Sequence, residues 1–322
     1  MTHQPSDLPV TIARAPSLGE RLGDRAFRGL TLACALGVLL LLVGLVVVIG
    51  RQAQPAIERF GVAQLTSDTW STNQDVYGLR PQIWGTLYSS VLAMLLASVL
   101  GVSAAILLAE HFLPAPIERL IKTTVELLAA IPSVVYGLWG FTVLIPLLDG
   151  PASWLHRNGA SIPLFSTPPQ GPGMLPAVLV LTIMVLPTIT AIARDALAAV
   201  PERLREASLG LGATRWQTIR KVVLPTALTG IFGAIVLAFG RALGETMAVV
   251  ILIGNKSTVT LSILSPATTL ASFMATDFKE ADSPLHIASI MVAALVLLLI
   301  TLLVNIVGSL LVWRASRNLR GL

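Results

Sequence analysis

The chain has 322 residues, of which 54% are hydrophobic and only 12% charged, with a mean hydropathy of +0.80. So few polar groups cannot cover a soluble domain of this size, and the composition is that of a polytopic membrane protein. A single cysteine, Cys34, excludes a disulfide framework, and the four histidines are scattered without metal-ligand spacing, so no metal site is expected.

A polar tail over 1–29 carries Arg14, Arg21, Arg25 and Arg28, and the first apolar run follows at 30–49. Its length exceeds the roughly 7–15 apolar residues of a secretory leader, so it reads as an uncleaved helix. Further runs of membrane-spanning length lie at 86–109, 125–148, 174–200, 227–253 and 286–313, giving six crossings and an all-α integral membrane fold. Pro132 and Pro146 in the third run and Pro187 in the fourth predict kinks. The intervening segments at 50–85, 149–173 and 254–285 form one side. The charge bias settles which: 15 Lys and Arg fall on the side of the termini and 6 on the other. The positive-inside rule therefore puts both termini, including the tail at 314–322, in the cytoplasm. The net charge of +5 follows from that bias and calls for no nucleic-acid partner. Glu110, His111, Lys122 and Glu126 fall at inner helix ends, where long side chains reach the headgroups. Ser133 and Tyr136 are weaker candidates to face a pathway.

Between the fourth and fifth runs, "VPERLREASLGLGATRWQTIRKVVLP" (200–225) has helical features although it lies outside the membrane. Pro201 suits a first turn, Glu202 and Glu206 the N-terminal half, and Gly210 with Gly212 a stop. Thr214 and Gln217 predict a capping box for a second short helix, which Leu224 and Pro225 close. Two amphipathic helices joined by a glycine turn make a rigid knob.

This segment resembles the EAA loop of ABC-importer permeases, at Glu206, Ala207, Ser208, Gly212, Val222, Leu224 and Pro225, with Ser208 and Val222 departing from the commoner Ala and Ile. The resemblance implies a type I importer permease whose coupling loop docks on an ATP-binding subunit. The chain has no G-x4-G-K-[ST] loop of its own, since "GNKST" at 254–258 lacks the Gly-Lys pair. No cofactor is therefore expected on this chain, and ATP with Mg belongs to the partner.

The fifth run contains "GRALGETMAV" (240–249), with Arg241 and Glu245 at membrane depth. On a continuous helix from Ala227, Arg241 sits about 21 Å along, past the middle of a core about 30 Å thick. Arg presents planar donors to two oxygens of a tetrahedral anion and stays ionised, so Arg241 is the natural oxyanion ligand. At i, i+4 Glu245 shares its face, either as a second pathway residue or as a self-neutralising partner. A carboxylate also accepts a hydrogen bond from protonated phosphate, which sulfate does not donate. Gly240 and Gly244 form a G-x-x-x-G, and Gly230, Ala234, Ala238 and Ala242 recur every four residues, a face suited to close packing, for instance across a dimer.

Together with "IPSVVYGLWG" (131–140) and "IWGTLYSS" (83–90), this stretch is similar to permease subunits of the phosphate-specific (Pst) ABC transporter, and the long first outer loop to the PstC-type member. That resemblance implies a phosphate importer of the bacterial inner membrane. Its expected partners are a PstA-like second permease, two ATP-binding subunits and an external phosphate-binding protein. An importer of molybdate or sulfate, a proton-coupled secondary transporter using Glu245, and a membrane scaffold with signalling duties are the alternatives.

Overall fold

The computed structural model describes residues 17–319. The tail expectations for 1–16 and 320–322 lie outside the described residues. The chain divides into two compact units at Ile49 and Gly50. The first is the leading part of helix α1 (Leu18–Phe60). Nearly every side chain over 21–48 is exposed, and an 18-residue stretch within Arg21–Phe60 has a mean hydropathy of 3.2. A helix apolar all round has lipid as its solvent.

The second unit is mainly helical and includes a two-stranded antiparallel ribbon in which Trp70 pairs with Tyr77. α2 (Arg80–Ala109) opens with Pro81 in its first turn, where a missing N–H costs nothing. The third span differs from its expected bounds. Ile131 and Pro132 are extended, because a residue before proline is pushed out of the α region. The result is an amphipathic helix α3 (Ala115–Ala130) and a separate membrane-length helix α4 (Ser133–Gly159). A π-turn at Gly140–Leu144 ends two residues before Pro146, which has no N–H to donate.

α5 (Met174–Ala198) is the most buried of the six candidate spans. Close approach is what lets it occupy the centre. A methyl on Gly101 of α2 would lie 2.9 Å from Ile189 Cγ2 of α5. One core gathers Ala93, Ala97, Leu181, Met184 and Ala238, and a second gathers Ala105, Ala193, Leu197, Val223 and Ala234. After α5 come α6 (Glu202–Gly210) and α7 (Arg215–Leu243). The expectation that Leu224 and Pro225 close a short helix is corrected: the helix passes through both. A π-turn at Ile219–Val223 carries it past the proline, whose missing N–H would otherwise leave a gap in the ladder.

α8 (Met247–Leu252), α9 (Leu270–Asp277) and α10 (Pro284–Leu319) complete the chain. The irregular segment 254–269 is buried in part and tied to the bundle. Trp84 Nε1 donates to the Thr260 carbonyl at 2.9 Å, Tyr88 Oη to Leu261 at 2.7 Å, and Met174 N to Ser265 at 3.0 Å. These bonds satisfy backbone that has left regular structure.

Candidate functional site

The helix expected over 227–253 breaks at the two charges. α7 ends at Leu243, Gly244 caps it, and α8 starts at Met247. Arg241 therefore lies in the last turn of one helix and Glu245 ahead of the first turn of the next. Each charge faces the helix end of opposite sign. Glu245 Oε1 accepts from the Ala248 N–H at 3.3 Å, while Arg241 Nη1 donates to Thr188 Oγ1 at 3.4 Å. Among the described residues no ion pair joins the two. The shared-face, self-neutralising arrangement is thus corrected: i, i+4 geometry requires a continuous helix, which is absent here.

The small-residue face is also reassigned. Ala234, Ala238 and Ala242 are buried within this chain, and Gly230 abuts Ala196 of α5 so closely that a methyl has no room. Gly240 faces Asn305 of α10, at 3.4 Å from where a Cβ would stand. Gly244 caps α7, and among the described residues a Cβ placed there would meet the Arg241 and Gly240 carbonyls at 4.0 Å. Arg241, Gly240, Thr188, Thr301 and Asn305 line a cavity of about 350 Å³ between α5, α7 and α10. Tyr136 is buried, and its hydroxyl donates to the Leu128 carbonyl at 2.8 Å, joining α4 to α3.

At the other end of α7 stands the knob. Just past the end of α6 stands Gly212, whose φ of +85° is the left-handed conformation that glycine adopts without steric cost, and Gly212 N bonds the Leu209 carbonyl at 2.9 Å. The Thr214 capping box is present: Thr214 N donates to Gln217 Oε1 at 2.9 Å, and Gln217 N to Thr214 Oγ1 at 3.3 Å. Ser208, the departure from the commoner alanine, shares a 2.9 Å hydrogen bond with Thr218 and so fastens α6 to α7. Glu206 and Ala207 are exposed at the loop surface, Leu224 and Pro225 half-buried. Leu211 and Trp216 expose 90% and 59% of their surface, an apolar tip on a polar loop.

Nothing in the residue pattern singles out Arg205. Its guanidinium donates to the Val200 carbonyl at 2.6 Å, the Leu197 carbonyl at 2.8 Å and Glu110 Oε1 at 3.2 Å. Both side chains of the Arg205–Glu110 pair are only 13% exposed. The expectation that Glu110 reaches the headgroups is therefore corrected: it is half of a clamp. The clamp binds α6 to the ends of α2 and α5, whose last carbonyls have no partners within their helices.

The family described as binding-protein-dependent transport system inner membrane component matches residues 97–317. The chain belongs to that family. Among relatives of this permease, a phosphate transport system permease protein PstC of Mesorhizobium japonicum is 40% identical over 288 residues, 88% of each chain. A protein of the same name from Pasteurella multocida is 38% identical over 96% of this permease and 97% of its own length. The fold is similar to that of a chain in a bacterial ABC transporter involved in the import of the acidic polysaccharide alginate, at TM-score 0.59 and 18% identity, covering 90% of this chain and 99% of that one. Six membrane-length helices among the described residues and this membership make it a multi-pass membrane protein and a transport subunit of an ABC importer.

Proposed function

We propose that this permease forms half of the membrane path of an ATP-driven inorganic phosphate importer. The observation that carries the reading is Arg241, a guanidinium at a helix break within the spans, opening on a cavity that Thr188, Thr301 and Asn305 also border, in a chain whose relatives are named phosphate permeases. An external binding protein delivers phosphate, a PstA-like permease supplies the other half of the path, and one of two ATPase subunits grips the knob at Glu206, Ala207 and Gly212. Both termini are cytoplasmic, in line with the charge bias, and ATP with Mg resides on the ATPases.

Arg241 draws the anion with a planar fork that matches two phosphate oxygens. The C-terminal end of α7 carries partial negative charge beside it and tempers the attraction, which favours release. Coupling follows from rigidity. A displacement of the knob passes along α7 toward Arg241 and through Arg205 into α2 and α5. Leu224 and Pro225 lie in the helix that carries it, and Gly240 lets α10 approach at the site itself.

The test is reconstitution of the complete transporter in proteoliposomes. ATP-dependent phosphate uptake that needs the loaded binding protein is expected, and Arg241→Gln abolishes it with insertion and assembly intact. Normal uptake by a well-inserted Arg241→Gln protein refutes the proposed role.

A further inference from the structure

An asparagine within a membrane helix is costly unless its amide has work or partners. Asn305 lies in α10 within a polar row, Thr301, Asn305 and Ser309, at spacing of one turn. Thr301 and Ser309 return their hydroxyls to backbone carbonyls of Leu297 and Asn305, at 2.8 and 2.7 Å. Asn305 differs. Its Nδ2 donates to the Thr301 carbonyl at 2.9 Å, which uses one of two amide hydrogens, and among the described residues no donor reaches its Oδ1. The amide lies against Gly240, where a missing side chain leaves it room, and borders the same cavity as Arg241 and Thr188.

We infer that Asn305 is a substrate-contacting residue that reads the protonation of the anion held by Arg241. The inference rests on the phosphate reading above. Its remaining amide hydrogen donates to an anion oxygen, and Oδ1 accepts the proton of a P–OH group. Sulfate, fully ionised, has no such proton and meets a carbonyl oxygen with nothing to offer it. Glu245 is less suited to this acceptor role, because it is not among the residues that line this cavity, and its Oε1 accepts from the Ala248 N–H. A neutral amide also adds hydrogen bonds without adding charge. A transport path needs a site attractive enough to enter and weak enough to leave. The cavity of about 350 Å³ has room for a tetrahedral oxyanion.

The complete transporter in proteoliposomes, with loaded binding protein and saturating ATP, gives the first readout. Asn305→Leu is expected to lower the phosphate uptake rate about tenfold or more, the range for a lost hydrogen bond to a charged group. Asn305→Asp sets a carboxylate against Arg241 and competes with the anion, so uptake is expected to vanish while co-purification of the other subunits persists. The second readout bypasses the binding protein: thermal stabilisation of the detergent-purified complex by added phosphate against added sulfate. Wild type is expected to be stabilised more by phosphate, and Asn305→Leu to lose that difference. Asn305→Leu with wild-type uptake overturns the inference. So does reduced uptake with the phosphate preference intact, because Asn305 then acts through helix packing alone. Absence of phosphate uptake by the wild-type complex overturns the functional reading itself and takes this assignment with it.

Discussion

Truncating Arg205 tests whether the clamp transmits motion. Its guanidinium meets the Val200 and Leu197 carbonyls and Glu110, all within 3.2 Å, and the Glu202 carboxylate at 3.3 Å. The Glu202 contact adds little, since that carboxylate is 71% exposed and such pairs contribute about 0–1 kcal/mol. Glu110 decides the magnitude. Breaking a buried pair from one side costs about 3–5 kcal/mol, because a charge is left without its partner. The two carbonyls add about 1 kcal/mol each where water does not replace the lost donor. Here a cavity of about 320 Å³ borders Glu110 and Arg205, so water enters and repairs part of the loss. The net expectation for Arg205→Ala is about 2–4 kcal/mol. Replacing both members by methionine is expected to cost less than either single truncation, since no charge then remains buried. Two measurements check this: thermal denaturation of the detergent-purified complex, and the ratio of phosphate transported to ATP hydrolysed in proteoliposomes. A lowered ratio in Arg205→Lys, which keeps charge but not the planar fork, separates coupling from stability. An unchanged midpoint and ratio in Arg205→Ala would refute the reasoning.

Three further expectations rest on particular contacts. Arg241→Gln and Glu245→Gln each act alone, since the charges are not paired, so the double variant is expected to remain as inactive in uptake as Arg241→Gln; restored uptake would reinstate the ion pair. Gly85→Ala drives a methyl into the Thr268 carbonyl, with no room for backbone to yield, and is expected to destabilise by about 2 kcal/mol or more in thermal denaturation. Burial raises the Asp277 carboxyl above its ordinary value of 3.8, so the native state holds the proton longer than the unfolded chain. Stability from this group therefore falls as pH rises from 3.8 through the raised value, and Asp277→Asn is expected to raise the melting temperature at pH 7 but not below pH 3.8.

Much of the candidate site is legible in the residues. The Thr214–Gln217 capping box and the stop at Gly212 are local, set by side chains and backbone within three residues along the chain, and both form as expected. Arg241 stands out because a guanidinium in an apolar run costs too much to be kept there without a task. Asn305 carries a readable signal too, the Thr301–Asn305–Ser309 row, but spacing on one helix does not say which neighbour it faces. Arg205 and Glu110 carry none. They lie 95 residues apart, and charged residues at helix ends are ordinarily solvated.

The sequence by itself determined the six spans, the knob and the family, because hydropathy, capping and motif spacing act over a few turns of chain. Only the tertiary structure decided where helices yield. The chain breaks at Gly244 and at Ile131, yet runs on through Pro225. Whether a Pro or Gly ends a helix depends on what takes over the lost backbone hydrogen bonds: a π-turn before Pro225, a carboxylate ahead of α8. The same dependence turned an apparent ion pair into two charges on opposing helix ends, and left Arg241 to face Thr188.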